Sequence, residues 1–285
     1  MTHFIENDFL KVGIKEYGCE ITSIISKKSG YEFLWQGNPS IWKGQSPILF
    51  PFIGRLYNDT YTLNGKDYSM SKHGFARNLP WNLYSEDEDS ISFILTDNEE
   101  TYVNYPYHFE LIVKFTLEKN KLRVTHNVIN KNDELMYFSL GAHPAFNCNI
   151  GDTLIFDKEE TLECLQVDLD SSLLIPESYT LLNEEKIITV TKDIFNADAL
   201  ILKDFKSEHI TLNVNNGERK IKFHLGFAPF LGIWAKPGAP YVCIEPWYGL
   251  NDSIEKKADL SEKTGIQKLL PGKDFIFEWT AEFTE

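Results

Sequence analysis

Three short segments of the sequence carry side chains that could exchange protons with a substrate. His143 is followed by Pro144, which biases its backbone towards an extended conformation. Glu245 follows the apolar run 241–244, where a carboxylate seldom occurs without a partner. A second imidazole, His73, lies in a loop that contains glycine. Imidazoles and carboxylates are common general acids and bases, so the sequence predicts acid/base chemistry without a cofactor.

Each of these side chains also has a structural alternative. His143 and His73 could be structural histidines in tight turns, and Glu245 could point to solvent at a sheet edge. The same three residues could instead bind a metal ion, although their spacing matches no local metal-binding motif. We predict neither a metal nor an organic cofactor. Nucleotide-binding glycine motifs and the Gly-x-Ser-x-Gly signature of serine hydrolases are absent from the sequence.

Arginines and aromatic residues near these segments could contact a substrate. Arg55 follows the largely apolar segment 46–54, and its guanidinium suits neighbouring hydroxyl groups or a carboxylate. Arg77 could do the same or could pair with a surface acid. Trp247 and Tyr248 offer flat apolar surfaces that suit the face of a sugar ring, with ordinary core packing as the alternative.

The elements that must position these residues are predicted to be β-strands. Short stretches alternate apolar and polar residues and are rich in β-branched and aromatic side chains, which is an all-β signature. His126 falls in register with the apolar residues of one such strand, which predicts a satisfied imidazole in the core. The predicted strands cover residues 9–14, 20–26, 90–96, 109–117, 121–129, 135–140, 210–214 and 220–225.

Turn residues support the same fold class. Asn64-Gly65 predicts a hairpin, and we expect Asn216-Gly217 and Lys119-Asn120 to close two more. Only residues 253–270 show a partly helical pattern, and Gly265 interrupts it. No linker or repeat divides the chain, so we predict one domain over residues 1–285 that is a single large antiparallel β-sandwich, with a closed barrel as the alternative.

Composition narrows the classes of partner. The formal net charge is −14, which disfavours nucleic acid and anionic membranes as partners and leaves a small molecule. The four cysteines form no Cys-x-x-Cys pair, so we expect reduced and mostly buried thiols. The N-terminus lacks the pattern of a signal peptide, and no apolar run is long enough to span a membrane. These features predict a cytoplasmic location.

Taken together, the motifs resemble the aldose 1-epimerase (galactose mutarotase-like) family, in particular its LacX-like branch. The resemblance spans nearly the whole chain and rests on four segments in order, which are FPFIGRL at 50–56, HGFARNLPW at 73–81, GAHPAF at 141–146 and CIEPWYG at 243–249. It implies the galactose mutarotase-like supersandwich, in agreement with the strand pattern. It also implies interconversion of the α and β anomers of an aldose, without a metal or an organic cofactor.

The resemblance assigns a role to each matching residue. His143 matches the general acid and Glu245 the general base, while Arg55 and His73 match substrate-binding residues. Asp198 is the best candidate for an aspartate that binds a sugar hydroxyl. With ordinary pKa values of about 6.5 for His and about 4.3 for Glu, the two catalytic groups suit opposite halves of a proton exchange near neutral pH.

The sequence leaves open several alternatives for the substrate and the function. The segment 73–77 also resembles hexose-6-phosphate mutarotases, in which arginines contact the phosphate, so a phosphorylated hexose is an alternative if Arg77 points into the cleft beside Arg55. A non-catalytic carbohydrate-binding or sensing protein of the same fold is a second alternative. A metal-dependent carbohydrate enzyme is a third.

Overall fold

The structure is a computed structural model that describes residues 1–255 and 259–285. It is dominated by strands, with one short α-helix, α1 (Glu99–Asn104), and three 3₁₀ turns at Tyr57–Asp59, Ala76–Asn78 and Leu260–Glu262. The strands are β1 (Thr2–Glu6), β2 (Leu10–Lys15), β3 (Glu20–Ser26), β4 (Ile48–Leu49), β5 (Thr60–Leu63), β6 (Lys66–Ser69), β7 (Asn82–Glu86), β8 (Ser90–Thr96), β9 (Phe109–Glu118), β10 (Lys121–Asn130), β11 (Met136–Phe138), β12 (Leu140–Ala142), β13 (Ala145–Asn147), β14 (Thr153–Val167), β15 (Leu174–Thr189), β16 (Leu200–Lys203), β17 (His209–Val214), β18 (Arg219–His224), β19 (Phe230–Trp234), β20 (Tyr241–Tyr248), β21 (Gln267–Leu269) and β22 (Asp274–Thr284).

Most strands belong to one 15-stranded antiparallel sheet. Its main path runs β4-β12-β20-β19-β16-β14-β17-β18-β22-β10-β9-β8-β7, with β13 also paired to β20 and β15 to β14. A three-stranded sheet, β1-β2-β3, and two two-stranded ladders complete the set in the described ranges. The all-β prediction is confirmed, and the large antiparallel sheet agrees with the predicted sandwich.

The turn predictions are confirmed, whereas the described residues of the partly helical stretch 253–270 form no α-helix. Leu63 pairs with Lys66 across Asn64-Gly65, and the other two predicted turns join β17 to β18 and β9 to β10. In the region 253–270 the described residues form only the 3₁₀ turn Leu260–Glu262 and the strand β21, and residues 256–258 lie outside the described ranges. Gly265 has a φ of +76°, a left-handed conformation that ends any helical turn there.

The core lies between strands from both ends of the main sheet. Ile48 of β4 and Ala142 of β12 meet Val124 and His126 of β10 around a void of about 10 Å³, too small to matter for ligand binding. All four cysteines are free and buried, as the sequence predicts. Among the described residues, no helix is long and apolar enough to cross a membrane.

His126 is a core imidazole, but it is not fully satisfied. Its ring stacks on Phe277 at 5.1 Å, and its Nδ1 has no hydrogen-bond partner in the described part of the chain. Burial lowers the pKa of His126 to about 3, outweighing a hydrogen bond to the backbone of Phe277. The prediction of a satisfied core histidine is therefore only half right, because one ring nitrogen is left unpaired.

This buried histidine should make the protein sensitive to acid. The unfolded chain binds a proton at His126 below about pH 6.5, whereas the folded chain resists protonation down to about pH 3. In that window the free energy of unfolding should fall by about 1.4 kcal/mol per pH unit from this residue alone. His126→Leu should reduce the stability lost between pH 7 and pH 4.5, measured by urea unfolding. Val128→Ala, a buried change on the same strand, should instead lower stability equally at both pH values.

A buried lysine fixes the segment 250–252, whose middle residue, Asn251, lines the cavity described below. Lys263 Nζ donates hydrogen bonds to the Leu250 carbonyl at 2.8 Å and to Asp252 Oδ1 at 2.6 Å. The other oxygen of Asp252 accepts from the backbone N–H of Tyr57 at 2.9 Å. Burial lowers the pKa of Lys263, and the adjacent Asp252 opposes that shift. The ion pair thus joins three separate chain segments at one point.

Removing this lysine should be strongly destabilising. Lys263→Met leaves the carboxylate of Asp252 without its counter-charge, and breaking such a buried pair typically costs about 3–5 kcal/mol. The free energy of unfolding from a urea titration measures the loss. Lys203→Met removes an exposed pair with Asp204 and should change stability by less than about 1 kcal/mol. Equal losses in the two variants would contradict the role given to Lys263.

Candidate active site

The strand β20 brings His143 and Glu245 together. It pairs with β12 at Gly141 and with β13 at Ala145, so the intervening His143-Pro144 segment lies opposite the carboxyl-terminal half of β20. The Pro144 carbonyl accepts a hydrogen bond from the Ile244 N–H at 3.2 Å. Pro144 has no N–H to continue the ladder, so the strand pairing is interrupted there. The side chains of His143 and Glu245 both line the same cavity.

The two side chains form a close and buried pair. Glu245 Oε2 lies 3.2 Å from His143 Nε2 without meeting the geometry of a hydrogen bond, and it has no other hydrogen-bond partner within the described ranges. The residues are only 1% and 7% exposed. Burial raises the pKa of Glu245 well above its ordinary value and lowers the pKa of His143 to about 3.

These shifts favour a pair that carries one proton and no net charge. Losing that proton would leave a buried carboxylate, and gaining a second would leave a buried imidazolium, and burial opposes both. A pair that holds one proton offers one acid and one base to a bound molecule. In the neutral arrangement that burial favours, the proton lies on Glu245, and its transfer to His143 Nε2 across the 3.2 Å contact would give the imidazolium and the carboxylate.

His73 is held in a defined tautomer by the backbone of Gly54. The Gly54 N–H donates to the ring atom Nδ1 of His73 at 3.1 Å, and the backbone N–H of His73 donates to the Gly54 carbonyl at 2.8 Å. Because Nδ1 accepts, the neutral ring carries its hydrogen on Nε2. Burial, the charge of Arg77 and the His143 ring lower the pKa of His73 well below its ordinary value. The imidazole of His73 is thus a neutral hydrogen-bond donor.

Two glycines make this local arrangement possible. Gly54 and Gly74 have φ values of +67° and +71°, which glycine adopts without strain. A Cβ at Gly54 would lie 2.0 Å from Asn251 Oδ1, and one at Gly74 would lie 2.2 Å from the Phe50 carbonyl oxygen. The loop around His73 can therefore pack this closely only with glycine at both positions.

Aromatic rings form the walls around the pair. Trp42 stacks on the His143 ring at 5.1 Å, and Trp234 meets its edge at 5.7 Å. Trp42, Trp234 and Trp247 all line a cavity of about 450 Å³ with the acid/base pair. Tyr248 is absent from this wall, since its hydroxyl donates to the Gly226 carbonyl at 2.8 Å. The prediction of a flat apolar surface therefore fits Trp247 and not Tyr248.

Buried polar atoms without partners are concentrated in this cavity wall. Nine such side-chain atoms occur in the described residues, and four of them belong to His143, Glu245, Trp247 and Asn251. An unpaired buried polar group costs about 1–3 kcal/mol, so a concentration of them is typical of a site that sacrifices stability for function. Asp198 also lines the cavity, with a φ of +72° and its Oδ1 accepting from the Ala199 N–H.

Cationic side chains line the same cavity despite the strongly acidic composition. Lys72, Arg77 and Lys236 take part in no ion pair with the described residues. Arg77 Nη2 donates to the Lys72 carbonyl at 2.7 Å, and the positive charges of Arg77 and Lys72 help to lower the pKa of His143. The cavity therefore combines a neutral acid/base pair with a positive rim.

Arg55 does not line the cavity that contains His143 and Glu245. The structure brings His73, His143, Asp198 and Glu245 into one cavity, but it places Arg55 in the wall of a neighbouring cavity. The Nε of Arg55 donates to Asp59 Oδ1 at 3.0 Å. Arg77 thus points into the cleft without Arg55 beside it. The local sequence could not show that Arg55 and Arg77 line different cavities, because the apolar run before Arg55 ends in a turn.

The sequence patterns do not identify several residues of the cavity wall. Trp42 and Trp234 are far along the chain from His143 and belong to no motif of the sequence. The same lack of a motif applies to Lys72, Lys236 and Asn251. Lys72 is the exception that could have been found, since it directly precedes His73. The other four reach the cavity only through the tertiary fold.

The residues that could together bind a metal ion differ from the expected set of His73, His143 and Glu245. The ligand atoms of His143, Cys243 and Glu245 lie within 4.8 Å of one another, whereas His73 is outside this group. A thiol binds metal as the thiolate, and burial raises the pKa of Cys243 well above its ordinary value. Cys243 is fully buried and does not line the cavity, so this donor set is a poor fit for a metal ion.

Comparison with known proteins gives a consistent family. The family model described as "Aldose 1-epimerase" matches residues 1–265. The chain is 32% identical over 286 residues to the chromosomal protein LacX of Lactococcus lactis subsp. lactis, covering 95% of each.

Two solved structures are similar over the whole chain. A galactose mutarotase related enzyme from Lactobacillus acidophilus has 35% identity and a TM-score of 0.95, covering 100% of this chain and 98% of that one. A galactose mutarotase-like protein from Lactobacillus casei ATCC 334 has 28% identity and the same TM-score, with complete coverage of both chains. The chain therefore belongs to the aldose 1-epimerase family of isomerases.

Proposed function

We propose that the protein is a mutarotase that interconverts the α and β anomers of a hexose by opening and reclosing the ring. The observation that carries this proposal is the buried contact of 3.2 Å between His143 Nε2 and Glu245 Oε2 in a cavity of small-molecule size. Ring opening needs one proton delivered to the ring oxygen and one removed from the C1 hydroxyl. A pair that carries a single shared proton supplies both functions, and its roles reverse on reclosure.

The remaining cavity residues suit the recognition of a sugar. In the proposed complex the shared proton has moved from Glu245 to His143, so that His143 is the acid at the ring oxygen and Glu245 is the base at the C1 hydroxyl. The neutral His73 donates from Nε2 to a sugar oxygen, and the carboxylate of Asp198 accepts from a hydroxyl. The indole faces of the cavity pack against the apolar face of the ring. No step in this scheme changes the net number of protons, so no cofactor is needed.

Polarimetry on freshly dissolved sugars tests the proposal. α-Glucose and α-galactose should reach their equilibrium rotation faster with the protein than in buffer alone. Anomerisation no faster than buffer with these sugars and with glucose 6-phosphate would overturn the proposal. Calorimetric binding of a sugar without any acceleration would instead favour a carbohydrate-binding protein of the same fold.

A hexose phosphate is the second candidate substrate, and the unpaired cations of the cavity support it. Lys72, Arg77 and Lys236 could neutralise a phosphate, which a neutral sugar does not need. If this candidate is right, glucose 6-phosphate should anomerise with a higher kcat/KM than glucose, and Arg77→Gln should remove that preference. Equal kcat/KM values for the two sugars would favour the neutral hexose.

A further inference from the structure

The indole N–H of Trp247 is a buried hydrogen-bond donor that has no role in the scheme above. Trp247 is 3% exposed, and its Nε1 is buried without a hydrogen-bond partner among the described residues. A bound sugar cannot reach a buried nitrogen, so the acceptor for this N–H must lie within the protein. Glu245 lies two residues earlier on β20, and alternate residues of a strand share one face of the sheet. The carboxyl group of Glu245, whose Oε2 is also unpaired, is therefore an acceptor on the same face as the indole.

Two glycines on the neighbouring strands fix the direction of this N–H. Gly141 of β12 is opposite Trp247, and Gly232 of β19 is opposite Glu245. A Cβ at Gly141 would lie 2.8 Å from Cδ1 of Trp247, and a Cβ at Gly232 would lie 2.6 Å from its Cζ2. Only glycine leaves room for the ring at both positions. Since Cδ1 and Cζ2 flank the edge of the indole that carries the N–H, this edge runs from the level of Trp247 to the level of Glu245.

The indole N–H acts on the carboxyl group of Glu245. Burial raises the pKa of Glu245, and the Trp247 N–H opposes this shift as a hydrogen-bond donor, with a larger effect than the charge of Lys72. The contact falls short of full hydrogen-bond geometry, and such contacts often tighten when a substrate binds. The other titratable side chains that act on this carboxyl group or lie close to it are His143, Cys243, Asp198 and Lys72.

We infer that Trp247 is a positioning residue, whose indole N–H stabilises the carboxylate that Glu245 becomes when its proton moves to His143. The inference rests on the proposed function, in which this transfer prepares the acid and the base. The O–H bond of Glu245 breaks and an N–H bond forms at His143 Nε2, which leaves a negative charge on a buried carboxyl group. A donor that is fixed in place beforehand stabilises such a charge without having to reorient. Trp247 thus offsets part of the cost that burial imposes on the base.

Removal of the donor with little change in the ring tests this inference. Trp247→Phe removes the N–H, and replacement of Trp247 by β-(3-benzothienyl)alanine keeps the size of the ring system with sulfur in place of the N–H. Each variant should lower kcat for the accepted hexose by about 10- to 100-fold, the usual weight of a hydrogen bond to a charged group. In the benzothienyl variant KM should change little, because the nitrogen is buried and does not contact the sugar.

The titration of Glu245 is a readout that a purely structural role would not move. Carbon-13 NMR of protein labelled at the glutamate side-chain carboxyl group follows it, and the Glu245 signal is identified by its absence in Glu245→Gln. Loss of the N–H should move the titration midpoint to higher pH by about one unit, because the carboxylate loses a donor. An unmoved midpoint in the benzothienyl variant would overturn the inference, and so would a raised midpoint with the wild-type kcat.

Trp279→Phe is the matched control for these variants. Trp279 is 1% exposed and its Nε1 is also unpaired, but its ring stacks on Phe223 at 5.1 Å and does not line the proposed active site. This change should lower the free energy of unfolding and leave both kcat and the Glu245 midpoint unchanged.

Failure of the proposed function gives a different result. In that case the wild type does not accelerate anomerisation, and the titration alone decides whether the indole N–H stabilises the carboxylate. A midpoint that rises on loss of the N–H would support that contact, and an unmoved midpoint would overturn it.

Discussion

Glu245→Gln is expected to abolish most of the acceleration while leaving the fold intact. A glutamine cannot accept the C1 hydroxyl proton and pass it on, and a positioned acid or base typically contributes about 10²- to 10⁴-fold. The loss should appear in kcat, measured by polarimetry at saturating sugar. Stability should be unchanged or higher, because the neutral amide avoids the burial that raises the pKa of Glu245.

Glu160→Gln is the matched control for this variant. Glu160 is also 1% exposed, but its Oε1 accepts from the Ser207 N–H at 2.7 Å and from the Ser207 hydroxyl at 2.6 Å, and it does not line the proposed active site. Its replacement should lower the free energy of unfolding and leave kcat near the wild-type value. Glu245→Gln should thus lose activity and keep its stability, whereas Glu160→Gln should lose stability and keep its activity. Full activity in Glu245→Gln would refute its proposed role as base.

His143→Asn should produce a loss similar to that of Glu245→Gln. Asn keeps a polar side chain beside Trp42 but cannot carry a proton between the ring oxygen and Glu245. Since the pair holds one shared proton, removing either member should disable the same step. We therefore expect the double variant to be no slower than the slower single variant, because groups that act as a unit are strongly non-additive.

Additive losses would contradict the shared-proton account. If the double variant lost the product of the two single effects, His143 and Glu245 would act in independent steps. Circular dichroism and urea unfolding should accompany each rate measurement, so that a loss of kcat is assigned only to a folded protein. Trp234 and Trp42 offer fluorescence close to His143 for the same check.

Strands and turns were predictable because their signals are local. The alternation along β9 and β10 and the Asn64-Gly65 turn depend only on neighbouring residues, and their pairing follows from the hairpin itself. The partly helical pattern at 253–270 was misleading for the opposite reason. Tertiary contacts of Lys263 and the left-handed Gly265 override the local preference there.

The candidate site was only partly predictable. His143, His73 and Glu245 stand beside prolines and glycines that mark unusual backbone, and this signal is visible in the sequence. The position of Arg55 and the contribution of Lys236 depend on how distant strands approach, which no local pattern encodes. The pKa shifts were equally hidden, because burial of His143 and Glu245 sets them and burial follows from the packed sheet.

Exchange NMR on an equilibrium mixture of anomers tests most directly whether the buried pair opens and recloses a sugar ring. With wild-type protein and its accepted hexose, the anomeric protons of the α and β forms should exchange faster than in buffer. At the same protein concentration, folded Glu245→Gln should return the exchange to the buffer rate. Wild-type exchange no faster than buffer for any hexose or hexose 6-phosphate, or undiminished exchange in Glu245→Gln, would contradict the account.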